Sequence, residues 1–108
     1  DIEDKSFHLM GIDQDGNVIA SGRVHFNSEH EAQIRYMAVD EKFKRQGIGT
    51  EIVTELENYA LTKQAKTMTL NAREKAISFY LSLGYSEVCP YQSDTGIPHK
   101  TMKKSLTG

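Results

Sequence analysis

Residues 42–50 form a glycine-containing segment that leads straight into a predicted helix. The apolar and aromatic residues of the segment 33–39, before the loop, are typical of a buried strand. After the loop, apolar side chains recur at helical spacing, at Ile48, Ile52, Val53, Leu56 and Ala60. A strand, a short loop and a helix in this order predict a sheet with a helix packed on it.

The start of this helix is a candidate site for an anion. The first N–H groups of a helix have no partner within it, and the helix dipole adds partial positive charge there. Gly47 and Gly49 would let an anion approach the main chain closely, and positive charge stands beside them at Lys42, Lys44 and Arg45. The pattern predicts a pyrophosphate site, although a glycine turn with a purely structural role fits the same residues.

Two common phosphate-binding motifs do not match this loop. A P-loop requires a lysine before the Ser or Thr that follows its last glycine, whereas Thr50 follows Gly49 directly. A dinucleotide-binding fingerprint requires a third glycine at position 52, which is Ile52 here. The loop therefore belongs to another class of anion site.

The composition narrows the class of protein. A chain of 108 residues suffices for one domain, and a net charge of −2 leaves no broad basic surface for nucleic acid. No apolar run approaches the ~20 residues that cross a membrane, and no signal-peptide pattern opens the sequence. Cys89 is the single cysteine, which excludes an intrachain disulfide and favours a reducing compartment. We therefore expect one cytoplasmic domain over residues 1–108, with no nucleic-acid or membrane partner.

The remaining patterns predict alternating strands and helices. Asp15-Gly16 is a hairpin signal between two strand-like runs, and Gly84 is placed to end a helix. Strands are predicted over 7–12, 18–27, 32–39, 67–71, 85–89 and, at an edge, 99–104. Helices are predicted from the glycine loop to about residue 64 and over 75–83, with a polar loop over 90–96. This order predicts an α/β (α+β) fold with a mixed, mostly antiparallel central sheet flanked by helices.

Two motifs in these elements resemble signatures of the GNAT superfamily of acetyl-coenzyme A-dependent N-acetyltransferases. The family's loop, Gln/Arg-x-x-Gly-x-Gly/Ala, corresponds to residues 44–49, with lysine at the first position. The second signature, an aromatic-Tyr pair followed by Gly and Phe/Tyr, corresponds to Phe79-Tyr80 and Gly84-Tyr85. Residues 96–99, Gly-Ile-Pro-His, further resemble the ElaA-type branch. The resemblance implies a GNAT-type acyl-CoA N-acyltransferase fold.

The resemblance also implies where acetyl-CoA, the cosubstrate, would bind, and it implies no metal. The pyrophosphate would be held by Lys44 and by the main-chain N–H groups of Arg45, Gln46, Gly47, Ile48, Gly49 and Thr50. The pantetheine arm would lie along the strand that contains Met37 and Val39. That strand would separate from residues 67–71 to open a cleft, and the side chain of Asn71 would contact the cofactor.

The resemblance assigns catalysis to Tyr80. This residue occupies the family position whose hydroxyl faces the sulfur of coenzyme A, and an ordinary phenol is protonated at neutral pH. Tyr80 would then protonate the departing thiolate while Phe79 mainly packs, although a core role for Tyr80 also fits its apolar helix face. The general base is left open among Glu29, His30, Glu31, Glu87, His99 and a water relay.

The implied activity is transfer of an acetyl group to a primary amine by direct attack, with a small molecule or a peptide as the acceptor. A non-catalytic coenzyme A-binding sensor or assembly module, or a plain phosphate-binding domain, would carry the same loop. The family domain usually begins with a further strand and helices, so we expect an N-terminally short domain. Its first hairpin would then be an exposed edge, with Phe7 and Leu9 alternating along it. A homodimer, or further N-terminal residues in the natural protein, would cover that edge.

Overall fold

A six-stranded sheet forms the centre of this computed structural model, which describes residues 6–44, 47–92 and 96–106. In chain order the strands are β1 Phe7–Ile12, β2 Val18–Phe26, β3 Glu31–Val39, β4 Thr67–Arg73, β5 Ser86–Gln92 and β6 Pro98–Ser105. Helix α1, Ile48–Thr62, joins β3 to β4, and helix α2, Ile77–Ser82, joins β4 to β5. Short 3-10 turns at Glu41–Phe43 and Glu74–Ala76 come before the two helices. No helix in these ranges is long and apolar enough to cross a membrane.

The strand order β1-β2-β3-β4-β6-β5 confirms a mixed, mostly antiparallel sheet. Among the described strands β3 and β4 are the one parallel pair, because α1 carries the chain back along the sheet between them. The prediction that the last strand lies at an edge is wrong, since β6 pairs with β4 on one side and with β5 on the other. The β5–β6 hairpin brings the last strand into the sheet, and no local pattern shows this.

Two predicted boundaries are also wrong. The helix predicted over 75–83 begins as a 3-10 turn, so that α2 itself has only six residues. Residues 90–92, predicted to be loop, belong to β5. Pro90 is tolerated in this strand because β5 is an edge of the sheet, where a residue without an N–H need not remove a ladder bond.

Both helices pack on the same face of the sheet. The predicted stripe of α1 is buried there at Ile52, Val53, Leu56 and Ala60. A β-carbon added at Gly22 of β2 would lie 2.7 Å from Ile52, which shows how closely α1 approaches the strand. Helix α2 joins this layer through Phe79, whose ring lies beside Gly49 of α1. The opposite face of the sheet carries no helix from the described part of the chain.

Strands β3 and β4 separate halfway along their length. They are paired from Glu31 and Thr67 to Ile34 and Leu70, and beyond that point no ladder joins them. The separation coincides with a bulge at Arg35 in β3, because Val24 of β2 pairs with Ile34 while Arg23 pairs with Tyr36. This confirms the predicted opening between the two strands and places it at the N-terminus of α1.

Candidate functional site

A cleft of about 940 Å³ begins where β3 and β4 separate and reaches the start of α1. Its walls are residues 34–39 of β3 and 70–73 of β4, with Gly47, Gly49 and Thr50 at one end. Phe79 and Tyr80 of α2 close the side toward the helices. The cleft therefore connects the candidate anion site with the candidate acid, which the sequence placed on separate motifs.

The glycine loop ends in a helix start that has no side-chain cap. Gly47 is the N-cap residue with φ of 81°, a conformation that costs other residues free energy, and a β-carbon there would have nothing within 4 Å. No side chain of a described residue therefore caps the first N–H groups of α1. Gly49 has a different role, which is to leave room for a neighbouring side chain. A β-carbon there would lie 3.3 Å from the ring of Phe79.

The other predicted residues of the loop lie in different places. The exposed Lys44 lines the cleft, and its Nζ lies 3.4 Å from Oε1 of Glu41. Arg45 and Gln46 are outside the described residues. Ile48 packs against the core and is not among the residues that line the cleft. Thr50 is exposed in the first turn of α1 and lines the cleft.

Tyr80 and Tyr85 are neighbouring buried tyrosines with different partners. The hydroxyl of Tyr85 donates to Oε2 of Glu57 at 2.8 Å, and Lys104 binds the same carboxylate at 3.1 Å. The hydroxyl of Tyr80 makes no hydrogen bond to a described residue, and its ring lines the cleft. Burial raises the pKa of Tyr80 to about 12, so its hydroxyl is protonated at neutral pH. Of the two, Tyr80 is the one whose proton is available to a molecule in the cleft.

Asn71 is held by a neighbour on β6. The hydroxyl of Thr101 donates to Oδ1 of Asn71 at 2.6 Å, and the two residues face each other across the β4–β6 pair. Because the amide oxygen is occupied by this bond, the NH₂ group of Asn71 is left to donate into the cleft that the residue lines. Met37 and Val39 line the opposite wall on β3, whose side toward β4 is unpaired there.

The candidate bases are scattered, and one of them lines the cleft. Glu31 lies at the closed end of the β3–β4 pair, where hydrogen bonding by Asn27 and its ion pair with Lys103 hold its pKa below the usual range. Glu29 and His30 are exposed in the β2–β3 connection. Glu87 of β5 pairs with Lys100 of β6, with Nζ and Oε1 3.2 Å apart. His99 lines the cleft opposite Arg73.

Several lining residues carry no signal in the sequence pattern. They include Arg35, Tyr36, Arg73 and Lys75, which lie just past the point where β3 and β4 separate or in the turn after β4. The parallel register brings these residues together, and that register is not visible in either strand alone. The described residues contain no group of three His, Cys, Asp or Glu side chains that could hold a metal.

A protein-family model and a related protein both match nearly the whole of this chain. A family model described as an acetyltransferase (GNAT) domain matches residues 1–106. A UPF0039 protein of Schizosaccharomyces pombe is 27% identical over 110 residues, which cover 98% of this chain and 72% of that protein.

Solved structures show the same fold. An aminoglycoside 6'-N-acetyltransferase complexed with coenzyme A has a TM-score of 0.86 at 16% identity, covering 96% of this chain and 74% of that one. The ribosomal-protein-S18-alanine N-acetyltransferase of Escherichia coli has a TM-score of 0.79 at 23% identity, covering 96% and 71%.

Proposed function

The chain belongs to the family of GNAT acetyltransferase domains, and we propose that it transfers an acetyl group from acetyl-CoA to a primary amine by direct attack. Acyl transfer from coenzyme A is the activity of the family. The observation that carries the proposal is the single cleft that joins an uncapped helix start, an unpaired strand side and the buried Tyr80. We also propose that the chain belongs to the ElaA-type branch and acts in the cytoplasm.

Each part of the cofactor has a matching part of the cleft. The pyrophosphate would bind the N–H groups at the start of α1, where the helix dipole and Lys44 favour negative charge. The pantetheine arm would add to the unpaired side of β3 at Met37 and Val39, since amide groups pair with a strand as another strand does. Asn71 would donate its NH₂ group to the arm or to the thioester oxygen. The thioester would then lie at the separation point of β3 and β4.

Tyr80 supplies the acid in this mechanism. The neutral amine attacks the thioester carbon, the carbon–sulfur bond breaks, and the thiolate of coenzyme A accepts the hydroxyl proton of Tyr80. The nitrogen that formed the new bond loses one proton to water, which leaves a neutral amide. The phenolate regains a proton from water, because burial holds the pKa of Tyr80 at about 12. Activity should not be lost through ionisation of Tyr80 at any pH below about 10.

The charges of the cleft favour an acceptor that is not a polycation. The charged side chains among its described lining residues are Arg35, Lys44, Arg73 and Lys75, together with the titratable His99, and no carboxylate is among them. Polycations such as polyamines and aminoglycosides would meet like charge there, which disfavours binding. We therefore propose a small amine or a peptide N-terminus as the acceptor.

A non-catalytic coenzyme A-binding module is the second candidate. The same loop and strand would hold the cofactor in such a protein, and the exposed opposite face of the sheet would bind a partner. The two candidates differ at Tyr80, because a binding module has no use for a protonated phenol beside the sulfur.

The decisive experiment is Tyr80→Phe with acetyl-CoA and a panel of tyramine, glycine, an alanine-initiated peptide, spermidine and kanamycin. We expect product in the wild type, measured by mass spectrometry, and a kcat lowered roughly 100-fold in the variant, with little change in the Kd for acetyl-CoA. Tyr59→Phe is the matched control, since Tyr59 stacks on Phe7 away from the cleft. Equal turnover in Tyr80→Phe would reduce Tyr80 to a packing residue. Cofactor binding without any product would favour the binding module.

A further inference from the structure

We propose that His99 is the general base of the transfer, removing a proton from the acceptor ammonium through its Nε2 atom. The proposal rests on the proposed acetyltransferase function and adds the residue that makes the acceptor nucleophilic. An ammonium has no lone pair with which to attack, so an amine that arrives protonated must first lose a proton.

The two faces of the sheet separate the cofactor from the acceptor. The anion site at the start of α1 and the ring of Tyr80 lie on the helix face. Coenzyme A bound to this site would therefore enter from that side. An amine that attacks the thioester must come from elsewhere, and the opposite face carries no described helix. Strands β3 and β4 separate after Ile34 and Leu70. A thioester held at this separation would be accessible from both faces of the sheet.

His99 lies on the acceptor face. Lys104 of β6 points toward α1, where it binds Glu57, and Met102 is buried in the same layer. Because side chains alternate along a strand, Thr101 and His99 point to the other face. His99 is half-buried and lines the cleft that also contains Tyr80. The acid and the base therefore approach the thioester from opposite sides.

A backbone hydrogen bond fixes the tautomer of His99. Its Nδ1 atom lies 2.8 Å from the carbonyl oxygen of Ile97. A carbonyl oxygen accepts hydrogen bonds and cannot donate them, so Nδ1 must carry the proton. In the neutral ring the lone pair is then on Nε2, which is the atom that can accept a proton. The ring of Tyr91 also restricts the orientation of the imidazole. The two rings pack edge to face, with their centroids 6.3 Å apart.

The protons balance over one turnover. The ammonium gives a proton to Nε2 of His99, the amine attacks, and the tetrahedral intermediate expels the thiolate, which takes the proton of Tyr80. The nitrogen of the new amide still carries two protons from the amine, and it loses one of them to water. His99 then returns its proton to solvent, and the Tyr80 phenolate regains a proton from water.

Other titratable and charged side chains lie near this imidazole. Arg73 of β4 and Tyr91 of β5 are its neighbours across the two strand pairs. Glu74 and Lys75 come from the turn after β4 and line a small cavity together with Arg73 and the segment that leads to His99. A His99→Gln variant removes the imidazole and leaves these neighbouring groups in place.

His99→Gln tests the proposal with a pair of small acceptors of nearly equal size. Ethylamine is an ammonium at neutral pH, whereas trifluoroethylamine, made less basic by its fluorines, is largely neutral. With ethylamine we expect kcat/KM to fall roughly 100-fold at pH 7 and to recover as the pH rises. With trifluoroethylamine the loss should be small at every pH. His30→Gln is the matched control. The Nδ1 atom of His30 also lies within hydrogen-bond distance of a main-chain carbonyl, that of Gln64 at 3.1 Å, but His30 lies outside the cleft.

The results separate this inference from the function on which it rests. If His99→Gln lowers kcat/KM equally for both amines, or for neither, His99 is not the general base. In that case turnover by the wild type would still support the acetyltransferase function. A wild type that acetylates neither these amines nor the wider panel overturns both. A second measurement needs no acceptor: nitrogen-15 NMR of the ring at neutral pH should show the Nδ1-protonated tautomer. An Nε2-protonated ring would contradict the proposal.

Discussion

At the scale of single residues, the two glycines of the loop are required for different reasons. Gly47 adopts a positive φ of 81° with open space around it, so the restriction there is in the backbone. Gly49 has no positive φ, and its restriction is the ring of Phe79, which would lie 3.3 Å from a β-carbon added there. The sequence predicted both residues as points of close approach for an anion. It could not show that Gly49 is also a packing contact between α1 and α2.

Replacement of Gly47 by alanine should reduce both stability and cofactor affinity. A methyl group would cost about 1–2 kcal/mol in this conformation and would stand before the uncapped N–H groups of α1. We expect acetyl-CoA to bind roughly tenfold more weakly, as measured by calorimetry. Gly16→Ala is the matched control, because Gly16 has φ of 85° and equally open surroundings in the β1–β2 turn. Equal affinity in the two variants would place the pyrophosphate elsewhere.

At the scale of elements, contacts with the sheet set the position of α1 and therefore of the anion site. The helix is seated at Gly22, where a β-carbon would come 2.7 Å from Ile52 and 3.0 Å from Leu56. Its polar side is tied to β6 by Glu57 and Lys104, which are 3.1 Å apart and mostly shielded from solvent. Tyr85 joins the same carboxylate. A shift of α1 would move the first turn relative to the unpaired part of β3.

Gly22→Ala tests this seating. The added methyl group must push α1 away from β2, which we expect to destabilise the protein by about 1–3 kcal/mol in urea unfolding. Acetyl-CoA affinity should fall as well, because the helix start moves with the helix. Gly11→Ala on the neighbouring strand is the control, since its β-carbon would meet only ordinary contacts at 3.6 Å and beyond. A stable Gly22→Ala variant with unchanged affinity would show that α1 is positioned by its other contacts.

The hydrophobic periodicity and the glycine positions were sufficient to predict the helices and strands themselves and part of the candidate site. The stripe of α1, the β1–β2 hairpin and the strands on either side of the glycine loop follow from local patterns. The place of β6 between β4 and β5 depends on pairing between distant segments, and its pattern resembles that of an edge strand. For the same reason Arg35, Arg73 and His99 could not be placed in one cleft before the register of β3, β4 and β6 was known.

At the scale of the whole molecule, the sheet ends in two strands that lack an outer partner among the described residues, β1 and β5. The first was expected as an edge, and the structure confirms its position. Phe7 and Leu9, however, turn toward α1, where Phe7 stacks on Tyr59 with ring centroids 4.1 Å apart. The apolar side chains that β1 exposes are Met10 and Ile12, at 59% and 56%. They lie beside the unpaired main chain of the edge, which favours association with another strand.

The homodimer therefore stays a prediction, now centred on Met10 and Ile12. Two copies related by a two-fold axis can pair their β1 edges and cover these side chains together. We expect light scattering to give twice the chain mass of 12.2 kDa, and the double variant Met10→Lys, Ile12→Lys to give a monomer because like charges would meet at the axis. Val88→Lys, an equally exposed apolar position on β5, should remain dimeric. A monomeric wild type would rule out the dimer, and dissociation by Val88→Lys alone would move the interface to the other edge.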